Sequence, residues 1–171
     1  MSAAAKKPFV LEDALIEAWA THAEITRYLL ENLDEKAWSA EPPGGGRTVA
    51  AIVAHVHNVR RMMLVMHAKG TRIAIPPKLD RHKLTPAQAQ AALGKSAAAI
   101  GKLIESAPAA GGRVAGRAAG VAGLFAAAVS HEAHHRGQIC MLARQLGSPL
   151  SEEAHLGMWD WSKRARAAAG K

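Results

Sequence analysis

Apolar residues recur at helical spacing along almost the whole chain. Leu15, Ile16, Trp19, Ala23, Leu29, Leu30 and Leu33 fall on one stripe when residues 8–33 are wound as a helix. Glu12, Asp13 and Glu17 sit in its early turns, where carboxylates complement the helix dipole. The run from Glu41 to Gly46, with two prolines and three glycines, breaks the pattern. Thr48 then suits the N-cap of a second helix reaching about Lys69, closed by Gly70. Residues 71–83 read as a loop. Thr85, Pro86 and Gln88 make a capping box with proline at the first helical position, opening a third helix to about Ser106. A fourth helix is expected from about Ala119 to Leu146, stopped by Gly147 and Pro149, and a short fifth from about Glu153 to Ala167. The pattern predicts an all-α, four-helix-bundle fold with a short extra C-terminal helix. Its domain occupies 9–165, after a disordered basic N-terminus (1–8) and before a C-terminal tail (166–171).

Composition agrees with close-packed helices. The chain has 171 residues, 38 of them alanine and seven aromatic. One cysteine excludes an internal disulfide framework and Cys-rich zinc modules. No window approaches ~18 uninterrupted apolar residues, and the N-terminal residues lack the apolar core of a secretory signal. The expectation is a cytoplasmic protein that engages no membrane.

The formal charge of +8 invites a nucleic-acid reading, but its distribution argues otherwise. Lys6, Lys7, Lys163, Arg164, Arg166 and Lys171 lie in the two ends, without acids. Residues 9–59 carry three Lys+Arg against eight Asp+Glu, and residues 60–117 carry eleven against two. With so few aromatics there is little stacking platform for single strands. No nucleic-acid partner is expected. The basic middle section would favour a small anionic substrate or thiol if it borders the functional pocket.

The nine histidines carry the chemistry. His131 and His135 are i and i+4 on the fourth helix, so they share a face and can grip one metal ion. With His131 at zero, His135 lies at about +40° and Gln138 at about −20° on the helical wheel, among Leu124, Ala127, Ala128 and Leu142. Cys140 falls on the opposite face and is discounted as a ligand. On the second helix His55 lies among Ile52, Val59, Met62 and Met66. His57 falls about 200° away, which places it off that stripe, and Asn58 sits at the rim. Three imidazoles on inner faces would be costly to bury without partners, and one metal satisfies all three.

His131-Glu132-x-x-His135 also reads literally as the HExxH signature of zinc hydrolases, with Glu132 as general base and Glu152 or Glu153 as a third ligand. The extended metzincin pattern would need glycine at 138 and histidine at 141. The chain has Gln138 and Met141, and no strand is evident to hold a peptide. A surface ion pair with Arg136 at i+4 suffices to account for Glu132.

The run His131-Glu132-Ala133-His134-His135-Arg136-Gly137-Gln138-Ile139, together with Val53-Ala54-His55-Val56-His57-Asn58-Val59-Arg60, resembles the motifs of the DinB/YfiT-like superfamily. Leu146-Gly147 and the tail Gly157-Met158-Trp159-Asp160-Trp161 are similar to one of its subgroups. The resemblance covers roughly 9–165. It implies a bundle of up-down-down-up topology and one divalent metal ion held by His55, His131 and His135. Asn58 departs from the aspartate frequent in the family. The resemblance further implies thiol-dependent chemistry, with a small-molecule thiol and an electrophile as partners, and a homodimer.

Three neutral imidazoles leave a coordination position open, and zinc or nickel suits them, with iron also compatible. His57, His134 and Gln138 are candidates for outer-shell or proton-transfer roles. A metal-dependent thiol S-transferase is the leading expectation, and a non-catalytic, metal-stabilised, stress-related binding module is the alternative. Trp159 and Trp161 are expected to cap the bundle's own core, with a dimer interface as the other reading.

Overall fold

The two threonines that the pattern marks as caps do that work. In a computed structural model, which describes residues 9–171, Thr48 Oγ1 accepts from Ala51 N (3.2 Å) and opens α3, Val49–His67. Thr85 and Gln88 form the reciprocal capping box that opens α4, Pro86–Ser106. The other long helices are α1, Leu11–Glu31, and α5, Gly120–Gln145. Three short helices complete the set: α2, Glu35–Ser39; α6, Glu152–Gly157; and α7, Trp161–Ala168. The described residues contain no strand. No helix among them is long and apolar enough to cross a membrane. The expected disordered stretch 1–8 lies outside the described residues.

Four details differ from the sequence pattern. The short helix α2 was not anticipated. Asp34 caps it by accepting from Lys36 N (2.9 Å), and it buries Trp38, whose indole N–H donates to Leu84 O (2.7 Å). The expected fifth helix is two helices, because Asp160 leaves helical geometry and its side chain caps Lys163 N (2.9 Å) to start α7. α7 then continues to Ala168, so helix extends into the residues expected to form a tail. Trp159 and Trp161 do not cap the core; they are 70% and 51% exposed. What docks α7 on α1 is Arg164, buried over the Tyr28 ring at 3.8 Å and 3.8 Å from Glu24.

α5 begins without a side-chain cap. Gly120 there has φ +54°, and a Cβ would collide with the carbonyl of Gly112, so the approach to α5 needs glycine at this position.

α1 packs against α4, α5 and α7, and α3 packs against α4 and α5. The core forms two apolar clusters. One takes Leu29 and Leu30 from α1, Ile52 and Val53 from α3, Leu93 from α4, and Ile139 and Leu142 from α5. The other takes Trp19, Leu64, Ile100 and Leu124 from the same four helices. Between them along every long helix lies a polar layer, with His22, His57, Arg60, Ser96, Glu132 and His135 all buried. That layer positions the site.

Candidate metal centre

α3 and α5 bring three imidazoles together at the edge of the polar layer. His131 Nε2 lies 3.2 Å from His55 Nε2 and 3.1 Å from His135 Nε2. Among the described residues these three are the group of potential metal ligands whose donor atoms all fall within 4.8 Å. Ligand nitrogens sharing one zinc ion at bonds of ~2.0–2.1 Å stand roughly 3.0–3.4 Å apart, so the spacing fits a metal centre. Gln138 Oε1 accepts from His135 Nδ1–H (2.7 Å), which leaves the His135 Nε2 lone pair facing its neighbours. His131 and His55 are half-buried and His135 is buried, so the converging nitrogens are open on one side.

Electrostatics keep the triad in its ligand form. Burial, followed by the neighbouring His135 and His55, pushes His131 down to about 4. Burial also lowers His55, with the Arg47 charge adding to the effect. His135 is lowered by burial against the opposing hydrogen bond of Gln138, and His134 and Arg47 push the same way as burial. All three are neutral at pH 7, and neutral imidazole is what a metal needs.

Glu132 is not a surface residue paired with Arg136. Its carboxylate is 1% exposed and accepts from Arg60 through both Nε and Nη2 (2.6 Å each), from His22 Nε2–H (3.1 Å) and from Thr26 Oγ1 (3.5 Å). Burial alone would raise its pKa. The Arg60 charge and the hydrogen bonds from Arg60 and His22 overcome that and hold the carboxyl well below the usual range. Arg136 turns to Thr26 Oγ1 (3.1 Å) and the His22 ring. A carboxylate so engaged is no general base, which removes the hydrolase reading. Glu152 lies at a different cleft, beside Cys140 and His155.

His57 is also corrected. It is fully buried, its Nε2–H donates to Pro77 O (2.9 Å), and its Nδ1 lies 3.1 Å from Ala92 O and 3.2 Å from Ser96 Oγ. The buried face of α3 runs through Val53, Val56, His57, Arg60, Leu64 and His67. His55 stands at its border, while Met62 and Met66 are 48% and 43% exposed. Of the other candidates, Gln138 is exposed and holds His135. His134 is exposed, its ring centroid 5.0 Å from that of His135. Cys140 is partly buried outside the triad, its thiol pushed up by burial.

Two groups near the site escaped the sequence reading. Arg47, in the approach to α3, bears electrostatically on His55 and His135. It shares with His55 a cleft of about 660 Å³ that residues 78–82 also line. Asn58, read only as a rim residue, pairs with the backbone of Leu79: its Nδ2 donates to Leu79 O (3.1 Å) and its Oδ1 accepts from Leu79 N (3.0 Å). The available signal was Arg47 just before α3 and Asn58 within it.

Searches among curated proteins and among solved structures find no match to the chain. The family model described as the DinB superfamily matches residues 18–139, more than half of the chain and inclusive of all three converging histidines. The chain belongs to the DinB superfamily.

Proposed function

We propose that this chain is a DinB-superfamily metalloprotein in which His55, His131 and His135 hold one divalent ion, zinc or nickel before iron, and that it transfers a low-molecular-weight thiol to an electrophile. The observation that carries the reading is the convergence of three neutral Nε2 atoms on the open edge of an otherwise satisfied polar layer. A bound divalent ion would supply Lewis acidity that lowers the pKa of a coordinated thiol. The chain's own residues do the rest. Gln138 fixes the tautomer of His135, and His134, exposed beside it, is the nearest candidate for carrying a proton to or from solvent. The cleft beside His55 receives the electrophile.

The accompanying fold is a four-helix bundle of up-down-down-up topology. Support comes from the two apolar clusters. α3 and α4 run from the Ile52–Leu93 cluster toward the Leu64–Ile100 cluster, and α1 and α5 run the other way. The exposed Trp159 and Trp161 favour the homodimer expectation, which sedimentation at several concentrations tests.

Metal analysis of natively purified protein beside His131→Ala tests the site. About one ion per chain in the wild type and a near-complete loss in the variant are expected; equal contents reject it. Thiol conjugation to a model electrophile, compared between metal-loaded wild type and His55→Ala, tests the activity. No acceleration with several thiols would reject the transferase in favour of the non-catalytic module.

A further inference from the structure

The cleft against His55 is built from two separate stretches of chain. Arg47 enters from the approach to α3, and Lys78 and Arg81 enter from the segment between α3 and α4. That segment is not loosely placed. His57 grips Pro77 O and Asn58 grips both backbone groups of Leu79, so the residues on either side of Lys78 are tied to α3. No ion pair among the described residues takes up Arg47, Lys78 or Arg81. Asp80, the acid of the cleft, is turned into its own backbone, where Oδ1 accepts from His82 N (2.9 Å). Arg81 Nε points at His82 Nε2 (3.0 Å), which leaves its terminal guanidinium nitrogens free. Ala51 and Leu79 add apolar surface to the lining, beside the polar His55 and Asn58. A volume of about 660 Å³ lies in the range of small-molecule sites.

We propose that this cleft is a subsite for a small organic carboxylate, with Arg47, Lys78 and Arg81 as its counter-ions and Ala51 and Leu79 against its carbon skeleton. Three cations without ion pairs against the one carboxylate of Asp80 leave the cleft net positive, which calls for an anion, and the planar fork of arginine matches a carboxylate. The apolar part of the lining calls for carbon, which inorganic phosphate lacks. The subsite names the substrate class of the proposed transferase, an electrophile or thiol bearing a carboxylate, and it rests on that reading only in placing the carboxylate beside a metal.

Succinate, succinamide and inorganic phosphate are the probes, titrated into the full chain and followed by amide chemical shifts. Succinate should perturb Arg47 and residues 78–82, and bind at least tenfold tighter than succinamide or phosphate. Arg47→Gln and Arg81→Gln should each weaken succinate at least threefold, and the double variant at least tenfold. The substituted side chains are exposed, so folding should be unaffected. Succinate should still bind His131→Ala, which separates this subsite from the metal reading: metal can be absent and the subsite stand. Binding that ignores both arginine substitutions, or phosphate binding as well as succinate, overturns the proposal.

Discussion

Two polar clusters share one turn of α5 and behave oppositely. Glu132 faces inward and is saturated, with Arg60 from α3 and His22 and Thr26 from α1 supplying its hydrogen bonds. His131 and His135, one residue before it and three after, converge with His55, and their nitrogens face one another without enough protons to satisfy them all. A buried group that finds its partners within the chain holds structure. Groups that find only other lone pairs are arranged for something the chain does not itself supply. The first cluster also serves the second, because the Arg60–Glu132 pair ties together the two helices that carry the ligands.

The largest effect should come from breaking the saturated cluster. Glu132→Ala leaves the Arg60 guanidinium buried without its counter-charge, a loss of about 3–5 kcal/mol. For a chain of this size that lowers the melting temperature by on the order of 10 °C. Thermal unfolding of chelator-treated protein measures it. A loss under about 1 kcal/mol would show that the pair is not structural.

Breaking the open cluster should do the reverse. His131→Ala should cost the metal-free protein little, since the side chain is half-exposed and unsatisfied. It should abolish the stabilisation that added zinc gives the wild type, about 2.7 kcal/mol at a free zinc concentration of 100 times Kd. Melting curves with and without zinc for both proteins check this. A zinc-dependent shift that survives in His131→Ala would place the ion elsewhere.

The histidine side of this contrast was legible in the sequence and the saturated side was not, for physical reasons. The i, i+4 pair His131–His135 and the capping residues Thr48 and Thr85 act through local geometry, which spacing encodes directly. The faces of α3 and α5 were harder. Counting apolar residues put Met62 and Met66 inside and His57 and Glu132 outside, whereas the buried faces include charged and imidazole groups whose partners come from α1 and α4. No periodicity displays a partner a hundred residues away, as His22 is from Glu132. The ends of α2 and α7 had a legible signal in Asp34 and Asp160, both caps. The cleft depends on where residues 77–79 return, which only tertiary contacts decide.

Acidification should distinguish the clusters again. The folded pKa of His131, at about 4, lies below its ordinary 6.5. A depressed histidine contributes stability that is present above 6.5 and lost as pH falls from there toward 4. Metal-free wild type should therefore lose stability between pH 7 and 5, and His131→Ala should lose less over the same interval. The saturated carboxylate contributes little in this window, because the ordinary value of 4.5 from which Glu132 is lowered lies below it, and its share is lost only as pH falls further. Urea midpoints at pH 7 and 5, with chelator present, give the slopes. Equal slopes in the two proteins would mean that His131 is not desolvated as placed.

The smallest effect should lie where the histidine cluster meets the cleft, at Asn58 beside His55. Its amide satisfies both the N–H and the C=O of Leu79, which no carboxylate can do, because an ionised aspartate only accepts. Asn58→Asp should keep the bond from Leu79 N, lose the one to Leu79 O and set a negative charge against that carbonyl. One net hydrogen bond contributes about 0.5–1.5 kcal/mol. Asn58→Ala loses both bonds and should fall further. Stability should rank wild type above Asn58→Asp above Asn58→Ala, with zinc content unchanged in all three, since Asn58 touches none of the converging nitrogens. An Asn58→Asp variant that outranks the wild type or raises its zinc content would mean that a charge at this position serves the metal centre, and that the asparagine is a loss for the site and not a fastening for the segment that frames it.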